Sequence, residues 1–305
     1  MGSHARVGCP RCIAMLEKFK KIFNGLEERF GYHIIKDQAN SIKKSGESKT
    51  SHYPHTDEMW QAHLDGKKFK VNTKYGDIMA DSLGMCPINK DSKCKWGAID
   101  LDNYRPDIQE LFKKLKSINV PVIPIRSKSG GVHVYVFLKE PVTALLMREK
   151  LHSIKHIFGV EKPDRIFPVQ KYLDLDKGSA GSWINLPYYN YKNTERYMIN
   201  EDGSKASIEE FFKAYEKSVI TVGQLKKMQC SLNEEDFKDG PPCLQTLASF
   251  GIERGARDEV LLDMTRYLKM RFPENWQNKT GEYNTKFFKP ELTYKEVQKT
   301  VNSRE

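Results

Sequence analysis

The chain has 305 residues, 39% of them hydrophobic, with 15 Phe and 14 Tyr, which excludes a disordered polymer and provides a core for one large or two ordinary domains. Its 50 basic and 40 acidic side chains leave a net charge of +10, a surplus that suits polyanionic partners without proving one. No apolar run approaches the ~20 residues of a membrane helix and no secretory pattern stands out, so a cytoplasmic protein without membrane contact is expected.

Residues 1–14, opening MGSH, are expected to be a tag or flexible terminus. Over 15–32, Leu16, Phe19, Ile22, Phe23, Leu26 and Phe30 recur at helical spacing between charges, which predicts one amphipathic helix. The polar stretch 36–58 reads as a loop, and MWQAHLDG (59–66) as a short helix ended by Gly66. KFKVNTKYG and the segment between Cys86 and Cys94 read as short strand or loop. WGAIDLD is then a strand, 105–117 a helix, VPVIPI a strand, RSKSGG a loop, VHVYVFL a strand and 142–158 a helix. That order predicts an α+β fold whose catalytic core is a ferredoxin-like, RRM-like split βαβ unit preceded by an N-terminal α/β module. WINLPYY (183–189) adds a strand and 207–218 a helix. The charged, breaker-rich 219–241 reads as a linker from a domain at 15–218 to a small all-helical domain at 242–305. There CLQTLASFG, DEVLLDMTRYLKMRF and TYKEVQKTVNS predict three helices.

Six cysteines are scattered. Cys9 and Cys12 form a CxxC with no second pair or nearby histidines to complete a zinc site, and Cys86 and Cys94 read as free thiols.

The chemistry concentrates in AIDLD and SKSGGVH. Alternation along a strand sends Trp96, Ala98, Asp100 and Asp102 to one face and Gly97, Ile99 and Leu101 to the other, so burying the aliphatics aims both carboxylates at an open face. Two close carboxylates repel unless a cation sits between them, and Mg²⁺ or Mn²⁺ takes such oxygens readily. By the same alternation His133, Tyr135 and Phe137 share a face. Arg126, Ser127, Lys128 and Ser129 lead into Gly130 and Gly131, a turn suited to backbone N–H groups and cations approaching phosphate. A bare DxD is more often a solvated strand end and a lone histidine more often a packed one. Their ordered combination, with one helix and one strand between, favours a site.

These motifs, with DRIFPVQ (164–170) and GSWINLPYY (181–189), resemble the archaeo-eukaryotic primase superfamily. The closer likeness is to primase-polymerases of phages and mobile elements, over about residues 59–218, with a tail similar to their helical primase-associated domains. The resemblance implies DNA primase or DNA polymerase activity by two-metal nucleotidyl transfer from NTPs or dNTPs on a single-stranded DNA template, in a bacterial or phage-infected cell. It implies that Asp100, Asp102 and an acid of the third motif hold the metals, Asp164 being favoured over Asp174 and Asp176. It also implies that His133, supported by Arg126, Lys128, Ser129, Gly130 and Gly131, meets the nucleotide phosphates. Arg165 suits the phosphates or the template, Asn185 the backbone or the nucleotide. Tyr104, Tyr135, Trp183, Tyr188 and Tyr189 are candidates for base stacking, most of them expected in the core. No P-loop is present, so a helicase would be a further domain or partner. The alternatives are a metal-dependent nuclease, which would cut without nucleotides, and a non-catalytic RRM-like binder, which would carry aromatics where this chain carries carboxylates.

Overall fold

The amphipathic pattern near the N-terminus folds as helix α1 (Pro10–Phe23) in a computed structural model that describes residues 10–35, 46–101, 106–158, 160, 165–175, 178, 179, 181–228, 237, 239–245, 257–288 and 290–303. α1 ends earlier than the periodicity predicts, and Phe30 instead opens strand β1 (Phe30–Ile35). The cause is local. Leu26 N–H donates to the Cys86 carbonyl at 3.0 Å, and a Cβ on Gly25 would stand 1.9 Å from that same oxygen. Backbone packs too closely here for a helix to continue.

The stretch expected as a loop contains strand β2 (Gly46–Ser51), paired with β1 at the sheet edge. Its sequence GESKTS has no apolar alternation to betray it. Helix α2 (Asp57–Asp65) ends at Gly66 in the left-handed region (φ +69°), as expected. A hairpin of β3 (Phe69–Thr73) and β4 (Gly76–Ala80) and strand β5 (Ser82–Met85) follow.

The chemistry-bearing part comprises β6 (Lys93–Leu101), α3 (Ile108–Ser117), β7 (Ile123–Arg126), β8 (Val132–Thr143), α4 (Ala144–Ile154) and β9 (Ile166–Phe167). Asp107 and Thr143 cap α3 and α4 through their side chains. Strand β10 (Ile184–Asn185) joins the first sheet, in the order β10-β5-β1-β2. It is far shorter than the expected WINLPYY strand.

Helix α5 (Ile208–Ser218) begins with a Ser207–Glu210 capping box. The chain then returns to the second sheet. β11 (Val219–Ile220) pairs in parallel with β8, and α6 (Val222–Lys226) buries Leu225 against it. The second sheet runs β11-β8-β6-β9, with β7 also on β8.

Both faces of β6 and β8 are buried, which the alternation argument did not foresee. Ile99, Leu101, Val134 and Val136 pack against α3 and α4. Trp96, Ala98, Tyr135 and Phe137 pack against α1, α2, α5 and the first sheet. Phe23 is the hub of that second core, its ring 5.7–5.9 Å from those of Trp96, Tyr135, Phe137 and Phe211. The face expected to be open is therefore covered along most of its length and gives way to polar groups only at Asp100.

Helices α7 (Arg257–Arg271), α8 (Trp276–Phe287) and α9 (Tyr294–Asn302) pack around a separate cluster that includes Leu261, Leu268 and Phe287. α8 was not anticipated, because WQNKTGEYNTKF carries a glycine and few apolar residues. No helix among the described residues is long and apolar enough to cross a membrane.

Candidate active site

The register of the second sheet assembles the site. Asp100 on β6 stands directly opposite His133 on β8. On the other flank of β6, Ala98 pairs with Phe167 and Ile99 with Ile166. The residue before Ile166, Arg165, therefore lies beside Asp100. Arg165 Nη1 donates to Asp100 Oδ2 at 2.7 Å, and His133 Nε2 lies 3.4 Å from Oδ1. The Tyr135 hydroxyl stands 3.4 Å from His133 Nδ1, in reach from behind. Burial by itself would push the Asp100 carboxyl up, but the hydrogen bonds and charges of His133 and Arg165 outweigh it and hold the group below its usual value. Asp100 is thus an ionised carboxylate, with 19% of its side chain exposed.

The SGG turn is tight. Ser127 N–H donates to the Gly131 carbonyl (2.8 Å) and Gly130 N–H to the Ser127 carbonyl (3.1 Å), so these two amides serve the turn rather than a phosphate. Gly130 has φ +93°, and a Cβ on Gly131 would stand 2.5 Å from the Leu101 carbonyl. One glycine supplies the conformation and the other the close approach to the end of β6. The Ser127 and Ser129 hydroxyls lie 3.2 Å apart, and the guanidinium of Arg126 lies against Gly130.

Lys128 leaves this turn to reach the other sheet. Its Nζ is 3.2 Å from both ring nitrogens of His33 on β1, whose Nδ1 is also 3.1 Å from Ser48 Oγ. Burial, then the charges of Lys128 and Arg196, push the His33 pKa down to about 4, so the imidazole is neutral. Arg196 is 5% exposed and donates to Ser82 Oγ at 3.2 Å and to the Leu186 carbonyl at 3.4 Å, with its guanidinium over the Tyr189 ring. Among the described residues it makes no ion pair, and burial lowers its pKa to about 10. Its charge is felt by both His33 and Tyr135. Two cations thus flank a neutral histidine where the sheets meet, on the Tyr135 side of Asp100.

His33, Ser82 and Arg196 were not anticipated. The signal for His33 was slight: a histidine in FGYHII, at the alternation position of Gly31 rather than that of the buried Phe30 and Tyr32.

Of the expected site residues, the structure brings Asp100, His133, Arg165, Lys128 and the Gly130–Gly131 turn together. Asp102, Asp164, Asp176 and Tyr104 lie outside the described residues. Asp174 goes elsewhere. Its neighbour Leu173 donates its N–H to Ser92 Oγ at 3.0 Å, at the opposite end of β6, about 25 Å along the strand from Asp100. Tyr135 and Tyr188 are fully buried and cannot stack on template bases. Trp183 lies on the first sheet, where a Cβ on Gly31 or Gly84 would come within 1.8 or 2.1 Å of its indole. Asn185, next on that face, has an Oδ1 that is buried with no hydrogen-bond partner among the described residues. Further along DRIFPVQ the contacts lie within the fold. The Gln170 side chain accepts from Ser182 N–H (2.9 Å) and donates to Ser182 Oγ (2.8 Å), tying that motif to GSWINLPYY. Cys86 and Cys94 are free and buried, their pKa values pushed up to about 12 by burial.

The family described as "TOTE conflict system, Archaeo-Eukaryotic Primase domain" matches residues 18–228. No curated protein matches. Among solved structures, the chain is similar to one described as "Polymerase Domain from Mycobacterium tuberculosis Ligase D in complex with DNA" (11% identity, 75% of this chain and 92% of that chain covered, TM-score 0.32). It is also similar to "Crystal structure of primase RepB'" (11% identity, 96% and 86% covered, TM-score 0.31). Similarities this low carry no argument. The family match spans the chain from within α1 to just past α6 and so takes in both sheets. This chain belongs to the archaeo-eukaryotic primase domain family of TOTE conflict systems.

Proposed function

We propose that the protein is a template-directed nucleotidyltransferase, a DNA primase or primase-polymerase that joins NTPs or dNTPs on single-stranded DNA. The observation that carries this reading is the juxtaposition of an ionised Asp100 beside His133 with the Lys128–His33–Arg196 cluster. A carboxylate that takes a hard cation stands on β6, and the turn that leads into the paired strand β8 carries a cation that takes a polyanion, the two kinds of group a nucleoside triphosphate requires. The antiparallel order β9-β6-β8-β7, with helices α3 and α4 on one face, supports an RRM-like core.

Asp100 fits the divalent cation that the family implies. It is a hard oxygen donor, ionised and partly exposed. The described residues contain no group of three or more metal-ligating side chains, so the rest of a donor set would come from Asp102 and Asp164. A bound Mg²⁺ or Mn²⁺ would neutralise triphosphate charge and activate the attacking hydroxyl. The chain's own residues do the remainder. His133 hydrogen-bonds a phosphate oxygen, Lys128 and Arg196 attract the triphosphate, and the tight SGG turn holds Lys128 and His133 in register.

A labelled strand annealed to a longer template and incubated with Mn²⁺ and nucleotides is expected to lengthen. Shortening of that strand in the absence of nucleotides would contradict the reading and identify a nuclease instead.

A further inference from the structure

Arg165 occupies one flank of Asp100, at Oδ2. The pairing of β9 with β6 sets its backbone position, and β9 is itself fixed on both sides. Ile166 is fully buried against Ile99, and the Pro168 carbonyl beyond Phe167 accepts from the Arg148 guanidinium at 3.0 Å. Sheet register therefore places the Arg165 backbone beside Asp100, its guanidinium meets Oδ2, and only 33% of its side chain is exposed. A charged carboxylate this enclosed needs a counter-charge at all times. Arg165 provides one without metal.

We propose that Arg165 is a built-in competitor for the divalent cation at Asp100. It compensates the carboxylate until metal displaces it, and so sets the metal concentration at which the site fills. The inference rests on the metal-dependent reading above. It concerns binding and not chemistry, so it is testable without turnover. Two consequences follow. Removing the positive charge must tighten metal binding, because the metal no longer has to expel a cation. It must also increase the stabilisation that metal confers, because the metal-free protein has lost the Arg165 counter-charge and keeps only the His133 contact at Asp100.

The test uses the full chain and Mn²⁺ alone, with free Mn²⁺ followed by electron paramagnetic resonance and melting temperature measured with and without Mn²⁺. Four proteins are compared: wild type, Arg165→Gln, Arg165→Lys and Asp100→Asn. Arg165→Gln is expected to bind Mn²⁺ about tenfold more tightly than wild type, with a larger rise in melting temperature on adding the metal. Arg165→Lys, which keeps the charge, is expected to stay near wild type, and Asp100→Asn to bind far more weakly. A side chain that merely supports the fold would leave affinity unchanged or weaken it on truncation. If Arg165→Gln binds no more tightly while Asp100→Asn loses binding, the competition is wrong and the metal reading stands. If Asp100→Asn binds as well as wild type, the metal reading falls and the competition with it.

Discussion

Asp100 is defined by its neighbours. A lone carboxylate at the margin of two aromatic and aliphatic cores would protonate or unfold its surroundings, whereas this one is held charged by His133 and Arg165. His133→Ala is expected to lower synthesis by about a hundredfold, the usual cost of one hydrogen-bond donor aimed at transition-state charge. Circular dichroism checks that the fold survives. The Lys128–His33 contact makes a separate prediction. Because Lys128 pushes the His33 pKa down, Lys128→Met is expected to let His33 titrate at higher pH than in wild type, as followed by NMR of its ring protons. An unchanged titration would contradict the contact. His63, buried behind the first sheet, accepts the Leu83 N–H at Nδ1 and donates from Nε2 to the Pro187 carbonyl, which only the neutral ring does. Burial and the charge of Arg196 push its pKa down to about 3. Between about pH 6.5 and 3 the unfolded chain takes up a proton that the folded one refuses. Stability is therefore lost as pH falls through that window, by up to about 1.4 kcal/mol per pH unit. His33 acts in the same direction. Urea midpoints at pH 7, 6 and 5 are expected to fall in that order, and a flat series would refute the assignment of His63 as a buried neutral histidine.

At the scale of elements, the strands carrying strong alternation were legible. WGAIDL and VHVYVFL are strands as their apolar periods predict, and the order of strands and helices around them followed. The failures have physical causes. β2 is polar because it is a sheet edge, α1 ends where backbone crowding and not periodicity decides, and β10 is short because Pro187 and Tyr188, the latter in the left-handed region at φ +57°, soon follow it. Lys128 was legible as a phosphate-binding candidate, but its partner His33 was not. That contact joins residues 95 positions apart across two sheets, and nothing local encodes it. The glycine platform is itself testable. Gly84→Ala would drive a methyl group into the Trp183 indole, and is expected to cost roughly 1–3 kcal/mol and to shift the tryptophan fluorescence. Phe23→Ala, which removes the ring at the hub of that core, is expected to cost about 3–5 kcal/mol in urea denaturation.

For the whole molecule, the two sheets divide the labour. The second supplies Asp100, His133 and the SGG turn, and the first supplies His33 and Ser82, on which the turn's Lys128 and the buried Arg196 rest. With a net charge of +10, the proposed binding of single-stranded DNA is expected to weaken steeply with salt. The most direct test of the central claim is synthesis on primed and unprimed single-stranded DNA with labelled nucleotides and Mn²⁺, comparing wild type with Asp100→Asn. The expected result is template-dependent product from wild type and at least a hundredfold less from a folded Asp100→Asn. Undiminished synthesis by that variant would show that nucleotidyl transfer does not occur at Asp100, and would contradict the account.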